Sequence, residues 1–206
     1  MREGADTVAH YDRNADAFAA QTADLDLTPL YDRFLRRVPP RGQILDAGCG
    51  VGRDALAFTR RGHGVVAFDA SPEMVRLARA RVGHRAVVRL LRFEEVAWRE
   101  AFDAVWACAS LLHVPPAAFP GVARRLADAL RPGGAWYMSF KLGAGERVAG
   151  GRIFVDHTAE TLRGALRDVP VDFCEAWLST DVRPGRGSEL WLNALAVRRY
   201  TRPPIR

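Results

Sequence analysis

The chain has 206 residues, of which 49% are hydrophobic and 26% charged, which is typical of one globular domain with a full core. Its net charge of +6 comes from arginines spread along the chain, whereas nucleic-acid-binding proteins usually carry a basic stripe. The first residues are polar and no apolar run could span a bilayer, so we expect a cytoplasmic protein without a membrane partner. Three cysteines lie far apart without a C-x-x-C pair; we expect each to be a small buried hydrophobe and expect no metal site.

Helical spacing of apolar residues in the first part of the chain predicts amphipathic helices over 8–23 and 29–38. Both precede the first predicted strand, so they must pack outside a sheet or over its open top. We therefore predict a single domain over 1–206, with a helical cap at 1–38 and a sheet core at 43–200. Tyr11, on the first helix, is predicted either to pack in the core or to belong to a lid.

The segment 43–52 reads Q-I-L-D-A-G-C-G-V-G and predicts a strand, a tight glycine loop and the start of a helix. Alternating glycines let the chain turn sharply and let a ligand touch bare backbone, next to the positive end of the helix dipole. The loop departs from the dinucleotide pattern G-x-G-x-x-G, because Arg53 stands where the third glycine is required. Asp46, just before the loop, is not part of that pattern either.

Four further strands are predicted over 65–69, 86–91, 102–107 and 135–140, alternating with helices. This alternation predicts an α/β fold with a doubly wound, mostly parallel sheet and helices on both faces. Segments 173–180 and 189–197 are joined by a turn too short for a crossover helix, so they form a C-terminal antiparallel hairpin that brings the sheet to seven strands. Segment 143–151 is glycine-rich and predicts a flexible lid loop, and the tail 201–206 is expected to be frayed.

Polar and glycine residues follow the predicted strands at the edge where the carboxyl ends of parallel strands meet and where such sheets bind ligands. They are the glycine loop, Asp69, Phe93-Glu94, and the segment from Ala107 to His113. Asp69 stands 21 residues after Gly48, at the end of the second strand, where a carboxylate can accept hydrogen bonds from both ribose hydroxyls. This convergence predicts a binding site for a nucleoside-containing ligand.

The motif series D-A-G-C-G-V-G, F-D-A-S-P-E-M, F-D-A-V-W-A-C-A-S-L-L-H-V and L-R-P-G-G-A-W-Y-M-S-F resembles the class I S-adenosylmethionine-dependent methyltransferases. Their fold is Rossmann-like, and their sheet ends in an antiparallel hairpin. The resemblance covers nearly the whole chain. Within the class, the chain is most similar to small bacterial enzymes of the tellurite-resistance and thiopurine methyltransferase type, which act on small molecules.

The resemblance implies S-adenosylmethionine as cofactor, with S-adenosylhomocysteine as product, and it implies roles for particular residues. Those expected around the methionine part are Asp46, Gly48, Cys49, Gly50 and Arg53, although Arg53 could equally form a surface salt bridge. Those expected around the ribose, adenine and sulfonium are Asp69, Ala70, Ser71, Met74, Phe93, Glu94, Ala107 and Cys108.

On the acceptor side, the candidate catalytic residues are His113, Tyr11 and Lys141. His113 could act as a general base if the acceptor carries its proton into the reaction, or could be a hydrogen-bonded structural histidine. Lys141 is the only lysine and could contact an anionic acceptor.

The chain lacks an N-P-P-Y-type tetrad and a Pro-Cys dipeptide, which amino-methylating and cytosine-C5 methyltransferases carry. We therefore predict methyl transfer to an O, S or N atom of a small molecule by a monomer or homodimer that does not act on nucleic acid. The alternatives are a tRNA-nucleoside methyltransferase, motivated by the charge, and a non-catalytic S-adenosylmethionine-binding module.

Overall fold

The structure is a computed structural model that describes residues 3–200. Its helices and strands follow in the order α1 (Glu3–Arg13), α2 (Ala15–Thr22), α3 (Thr28–Leu35), β1 (Gln43–Ala47), α4 (Arg53–Arg60), β2 (Gly64–Asp69), α5 (Pro72–Val82), β3 (Val87–Leu90), β4 (Phe102–Ala107), α6 (Phe119–Ala129), β5 (Leu130–Lys141), β6 (Gly145–Ala149), β7 (Arg152–Asp156), α7 (Ala159–Ala165), β8 (Val171–Thr180) and β9 (Leu190–Arg198). The tail 201–206 lies outside the described residues. Between residues 3 and 200 no helix is both long and apolar enough to cross a membrane.

Seven strands form one sheet in the order β3-β2-β1-β4-β5-β9-β8. The first five of these strands are mutually parallel, whereas β9 pairs antiparallel with both β5 and β8. The predicted fold class, a doubly wound sheet that ends in an antiparallel hairpin, is therefore confirmed. Strand order reverses beside β1, and in such sheets ligands bind outside the carboxyl ends of the strands at this point.

Helices cover both faces of the sheet, and neighbouring residues of β1 show how. Ile44 packs into a cluster with Phe34 of α3 and Phe58 of α4, while Leu45 packs into the cluster of the opposite face with residues of α6. Both side chains are fully buried. Since side chains alternate across a strand, an apolar pair at this position fixes β1 in the middle of the sheet.

Two predicted helix boundaries were wrong. The segment 8–23 is two helices, because Asn14 interrupts it and its side-chain amide donates to the carbonyl of His10 (2.8 Å). Such local bonds compete with the helical backbone pattern. The second predicted helix, 29–38, ends at Leu35.

The glycine-rich segment 143–151, predicted to be a flexible loop, instead contains β6, which pairs antiparallel with β7. Gly150 (φ +57°) and Gly151 (φ +75°) connect the two strands. Two-residue hairpin turns of type I′ require positive φ at both positions, and Gly-Gly meets that requirement without strain. The prediction of a flexible loop was wrong because these glycines form a hairpin turn.

The prediction of buried cysteines holds for Cys49 only. Cys108 is partly buried, and Cys174 is exposed. Cys174 lies on β8, at the edge of the sheet, where alternate side chains face solvent.

A buried carboxylate, that of Asp54, joins α3, α4 and β4. It accepts hydrogen bonds from the hydroxyl of Tyr31 (2.6 Å) and the indole N–H of Trp106 (2.8 Å). Arg53 adds a bidentate ion pair at 2.6 and 3.0 Å. Although burial opposes ionisation, these partners hold the pKa of Asp54 below its usual range. The carboxylate therefore fixes the first turn of the helix that follows the glycine loop.

We expect Asp54→Ala to lower the free energy of unfolding by about 3–5 kcal/mol, because it leaves the partly buried Arg53 cation and the buried Trp106 N–H without their acceptor. Urea denaturation measures this change. Tyr31→Phe, the matched control, removes one hydrogen bond to the same carboxylate and should cost about 1–2 kcal/mol. An equal loss of unfolding free energy in the two variants would contradict the role of the Asp54 carboxylate as the common acceptor of Tyr31, Trp106 and Arg53.

Candidate functional site

A cavity of about 800 Å³ opens at the carboxyl ends of the parallel strands. This volume lies near the upper end of the range typical of small-molecule sites, about 300–1,000 Å³. Of the residues that the sequence predicts for the site, the cavity brings together Tyr11, Gly48, Cys49, Gly50, Arg53, Asp69, Ala70, Ser71, Met74, Phe93, Glu94, Cys108, His113 and Lys141. The cavity thus gathers residues that are far apart in the chain.

The glycine loop forms the floor of the cavity and is attached to the end of β2. The backbone N–H groups of Gly48 and Cys49 both donate to the carbonyl of Phe68, at 3.0 and 2.9 Å. Gly48 has φ +78°, and a Cβ atom there would come within 2.4 Å of the Cβ of Ser110. Any side chain at this position would therefore collide with its neighbour, and the backbone remains bare toward the cavity.

The carboxylate of Asp69 connects the glycine loop to the N-terminus of α5. It accepts from the backbone N–H of Gly50 (2.8 Å) and from that of Ser71 (3.0 Å). Burial raises the pKa of Asp69 above its usual value, although these hydrogen bonds oppose the shift. Each oxygen retains acceptor capacity toward the cavity, so two adjacent hydroxyl groups of a ligand can bind there.

Ser71 caps α5 and fastens the N-terminal helix to it. Its hydroxyl oxygen accepts from the backbone N–H of Met74 (3.2 Å), and its hydroxyl donates to the carboxylate of Asp12 on α1. Asp12 also accepts from the backbone N–H of Glu73 (3.3 Å). This connection through Asp12 was not predicted from the sequence, since an acid on an exposed-looking helix carries no signal of a distant partner.

The side wall of the cavity carries an aromatic ring, a carboxylate and a thiol. Phe93 packs edge-to-face on Phe68 (ring centroids 5.3 Å apart), and Glu94 is exposed at the rim. Burial raises the pKa of the Cys108 thiol to about 12, so this thiol is protonated at neutral pH. A protonated thiol is a poor nucleophile, and Cys108 can only form part of the wall.

Asp46 and Ala107 do not line the cavity. Asp46 is 1% exposed, beneath the glycine loop, and one of its carboxylate oxygens has no hydrogen-bond partner in the described part of the chain. Burial, together with the nearby Asp54 carboxylate, raises the pKa of Asp46 well above its usual value. Both residues lie in strands that the loop and helices cover, so the structure places them under the site rather than on its surface.

The guanidinium of Arg53 lines the cavity, but it is paired with Asp54 and donates to the carbonyl of Thr22 (3.3 Å). Its side chain is only 19% exposed. The sequence suggested either a surface salt bridge or a ligand contact for Arg53. Its ion pair with Asp54 is largely buried rather than at the surface, and it holds the guanidinium at the cavity wall, where a ligand contact is still possible.

Lys141 lines the cavity at the end of β5, but two carboxylates already hold its ammonium group. Asp181 lies 3.0 Å and Glu189 2.5 Å from Nζ. Burial alone would raise the pKa of Asp181, but hydrogen bonds from Arg183 and Lys141 bring it below the usual range. The structure therefore neutralises Lys141, which the sequence suggested as a contact for an anionic acceptor.

Tyr11 and His113 meet across the cavity in a hydrogen-bonded chain. The Nδ1 atom of His113 lies 2.6 Å from the carbonyl oxygen of Ile153, so Nδ1 carries the proton because a carbonyl can only accept. The Nε2 atom then accepts from the hydroxyl of Tyr11 at 2.8 Å. Burial, with the nearby Arg152 cation, lowers the pKa of His113 to about 4, so the ring is neutral at neutral pH.

The β6–β7 hairpin supplies the third side of the cavity, which the sequence did not predict. Its residues Arg147, Ala149, Arg152 and Phe154 line the cavity. The backbone N–H of Ile153 donates to the hydroxyl oxygen of Thr7 on α1 (3.2 Å), so the hairpin and the N-terminal helix are joined. The Gly-Gly pair was the available signal, since it is typical of a tight hairpin turn.

Comparison with known proteins connects this geometry to a family. Residues 44–134 match the sequence profile of a methyltransferase domain. The ubiquinone biosynthesis O-methyltransferase of Xanthomonas axonopodis pv. citri is 37% identical over 110 residues, which are 50% of this chain and 45% of that protein. The chain thus spans about half the length of the curated relatives it matches.

Two solved structures share the fold. The 1,6-didemethyltoxoflavin-N1-methyltransferase of Burkholderia thailandensis, solved with 1,6-didemethyltoxoflavin and S-adenosylhomocysteine, has a TM-score of 0.77 and 25% identity, over 96% of this chain and 87% of that one. The [4+2]-cyclase SpnF has a TM-score of 0.69 and 20% identity, over 84% and 82%. The second likeness concerns the fold alone.

The lowered pKa of His113 should make the free energy of unfolding depend on pH. The unfolded histidine binds a proton near pH 6.5 and the folded one only near pH 4, so the free energy of unfolding should fall as the pH drops from about 6.5 to 4. The loss attributable to this ring is at most about 3 kcal/mol. Urea denaturation of wild type and His113→Asn across this range measures it. The difference between the two proteins should shrink as the pH falls, and a constant difference would show that the ring titrates normally.

Proposed function

Since the chain belongs to the class I S-adenosylmethionine-dependent methyltransferases, we propose that it transfers the methyl group of S-adenosylmethionine to an O, S or N atom of a small molecule. The observation that carries the proposal is the convergence of the glycine loop, Asp69 and the Tyr11–His113 pair on one cavity. We also propose that the chain acts as a single domain in which residues 1–38 form a cap.

The residues of the cavity fit the cofactor. At Gly50 a Cβ atom would have only the Phe18 ring within 4 Å, at 3.6 Å, so there is space for a ligand to lie against the loop there. Asp69 suits the two ribose hydroxyls, and Ala70, Ser71, Met74, Phe93 and Glu94 would surround the adenine. The methionine part would lie over Gly48–Gly50, near Arg53, whose position depends on Asp54.

When bound, S-adenosylmethionine supplies a methyl group that is already activated on a sulfonium. The chain's own residues therefore have mainly to align the acceptor in a dry pocket and to remove a proton where the acceptor has one. We propose that the acceptor's proton passes to the Tyr11 oxygen while the Tyr11 hydroxyl proton passes to Nε2 of His113. The carbonyl of Ile153 then stabilises the resulting imidazolium through Nδ1–H.

The Tyr11–His113 pair favours a particular kind of acceptor. Because the neutral His113 ring can take up a proton through Tyr11, the pair suits an acceptor that loses a proton as it is methylated. A phenol, an enol, a thiol or a ring N–H is such an acceptor. The names of the relatives, an O-methyltransferase of ubiquinone biosynthesis and a toxoflavin N1-methyltransferase, likewise favour a small-molecule acceptor.

Two alternatives to a small-molecule methyltransferase lead to different experimental results. A tRNA-nucleoside methyltransferase would lose activity steeply with salt, because phosphate contacts release counterions. A module that binds the cofactor without methyl transfer, or that does other chemistry as SpnF's name indicates for that protein, would bind S-adenosylmethionine but release no S-adenosylhomocysteine with any acceptor. We favour the small-molecule methyltransferase because the Tyr11–His113 pair faces the cavity.

We expect Asp69→Ala to weaken S-adenosylhomocysteine binding by about 10- to 100-fold, because hydrogen bonds to a charged group contribute about 1.5–3 kcal/mol. Equilibrium dialysis measures the dissociation constant. Asp172→Asn is the control, since this exposed carboxylate on β8 lies outside the cavity and should leave binding unchanged. A similar affinity in wild type and Asp69→Ala would rule out the proposed ribose contact.

We expect Tyr11→Phe to lower kcat by about 100-fold while leaving the affinity for S-adenosylhomocysteine unchanged, because the variant keeps the ring and loses only the hydroxyl. The assay follows release of S-adenosylhomocysteine with acceptors found by screening phenols, thiols and nitrogen heterocycles. An unchanged kcat in Tyr11→Phe would remove the proton relay from the mechanism.

A further inference from the structure

Arg152, on β7, lines the cavity but makes no ion pair within the described part of the chain. Four other cations of the cavity are paired with a carboxylate, whereas Arg92, at the exposed rim, has no ion pair among residues 7–200. Arg147 is paired with Asp156, Arg183 and Lys141 with Asp181, and Arg53 with Asp54. Arg152 differs from these four in having no carboxylate within ion-pair distance among residues 7–200, whose side chains the structure describes, and from Arg92 in that its Nε atom is buried.

The missing ion pair matters because part of the Arg152 guanidinium is buried. Its Nε atom is buried and donates to no acceptor in the part of the chain that the structure describes. The guanidinium carbon lies 5.7 Å from the centroid of the Tyr11 ring and 5.0 Å from that of Phe154. Aromatic faces attract a cation, but they do not replace the hydrogen bonds of a buried N–H group.

No carboxylate of residues 7–200 forms an ion pair with Arg152, although α1 and β6, which pack against β7, carry Asp12 and Glu146. The groups that face Arg152 from α1 and from the loop after β4 are His10, Tyr11 and His113. The charge of Arg152 acts against protonation of both histidines, so these rings leave the positive charge unbalanced. Arg152 is partly buried and its Nε atom is fully so, and an unpaired guanidinium at such a position is costly unless an anion of the ligand pairs with it.

We propose that Arg152 binds an oxyanion group of the methyl acceptor, so that the substrate class is a small aromatic or heterocyclic molecule carrying a carboxylate, a phosphate or a comparable anionic oxygen. The planar fork of a guanidinium matches two oxygens of such a group. The rings of Tyr11 and Phe154 would pack against the flat part of the acceptor. This inference rests on the proposed function, since it takes the hairpin end of the cavity as the acceptor side.

Binding of the oxyanion by Arg152 would also orient the acceptor for methyl transfer. An acceptor held by its oxyanion at Arg152 lies beside the hydroxyl of Tyr11, whose hydrogen bond to Nε2 of His113 runs along the same side of the cavity. The anionic group serves as the anchor, and a second, protonated O, S or N atom receives the methyl group. That atom forms the new bond to carbon, the carbon–sulfur bond breaks with its electron pair going to sulfur, and the proton leaves through Tyr11.

Binding of simple probes tests this assignment without knowledge of the natural acceptor. Benzoate and phenyl phosphate are titrated into the protein, with and without saturating S-adenosylhomocysteine, and benzamide serves as the neutral probe of the same shape. Calorimetry or ligand-detected NMR measures the dissociation constants. We expect at least one anionic probe to bind in the millimolar range or tighter and benzamide to bind about 10-fold more weakly, since charge-assisted hydrogen bonds are roughly twice as strong as neutral ones. Tighter binding of benzoate would indicate an acceptor with a carboxylate, and tighter binding of phenyl phosphate would indicate an acceptor with a phosphate.

The matched variants are Arg152→Gln, Arg152→Lys and Arg131→Gln. Arg152→Gln should abolish the preference for the anion, and Arg152→Lys should recover part of it because it keeps the charge without the fork. Arg131→Gln removes an arginine that lies outside the cavity and is paired with Asp103, so it should change the affinity by less than about threefold.

Stability separates a binding role from a structural one. Arg152→Gln should lower the free energy of unfolding by no more than about 1 kcal/mol, because it loses only the contacts with the Tyr11 and Phe154 rings and no ion pair within residues 7–200. A clear loss of stability would show that Arg152 holds the hairpin instead. The inference is also overturned if benzamide binds as well as the anions, if Arg152→Gln binds them like wild type, or if no anion binds at millimolar concentration. Binding of S-adenosylhomocysteine, measured in the same samples, shows independently whether the proposed function stands.

Discussion

The attachment of the glycine loop to the end of β2 is the constraint on which the rest of the site depends. The N–H groups of Gly48 and Cys49 converge on the carbonyl of Phe68, and the N–H of Gly50 binds the carboxylate of Asp69. These bonds join the carboxyl ends of two adjacent parallel strands. They leave a bare stretch of backbone beside an oriented carboxylate, and that combination suits a ligand with both a ribose and a charged chain.

The roof of the site is built by parts of the chain that lie far apart in sequence. Helix α1 is fastened to α5 through Asp12 and Ser71, and to the β6–β7 hairpin through Thr7 and Ile153. His113 lies between them, bonded to Tyr11 on one side and to the carbonyl of Ile153 on the other. Because one histidine joins both parts of the roof, its neutral form supports the closed cavity as well as the proposed chemistry.

The fold neutralises several cations of the cavity, whereas it leaves Arg152, whose Nε atom is buried, without a carboxylate partner among residues 7–200. Lys141, Arg53, Arg147 and Arg183 each have a carboxylate partner, so they hold elements in place. Our proposal of an anionic acceptor rests on this difference between Arg152 and the paired cations, and not on the number of cations. Net charge alone gave no such information, because most of the arginines lie elsewhere on the chain.

The fold class could be predicted from the sequence, and the residues that we propose for the cofactor side could be located in it, because their signals are local. Asp69 follows a buried strand, and the glycine spacing requires a turn, so both could be placed by counting along the chain. The neutralisation of Lys141 could not be predicted, since Asp181 is 40 residues away and meets it only after β5, β8 and β9 have paired. The role of Arg152 was missed for a related reason. The Gly-Gly turn before it was interpreted as part of a flexible loop, which hid the strand that points Arg152 toward the cavity.

A crystal structure of the protein with S-adenosylhomocysteine would show where the cofactor product binds. We expect the ribose hydroxyls to bind the carboxylate of Asp69, the adenine to lie near Phe93, and the sulfur to face the open part of the cavity bounded by Tyr11 and Arg152. Absence of the ligand at millimolar concentration, or a ligand bound away from Asp69, would contradict this expectation.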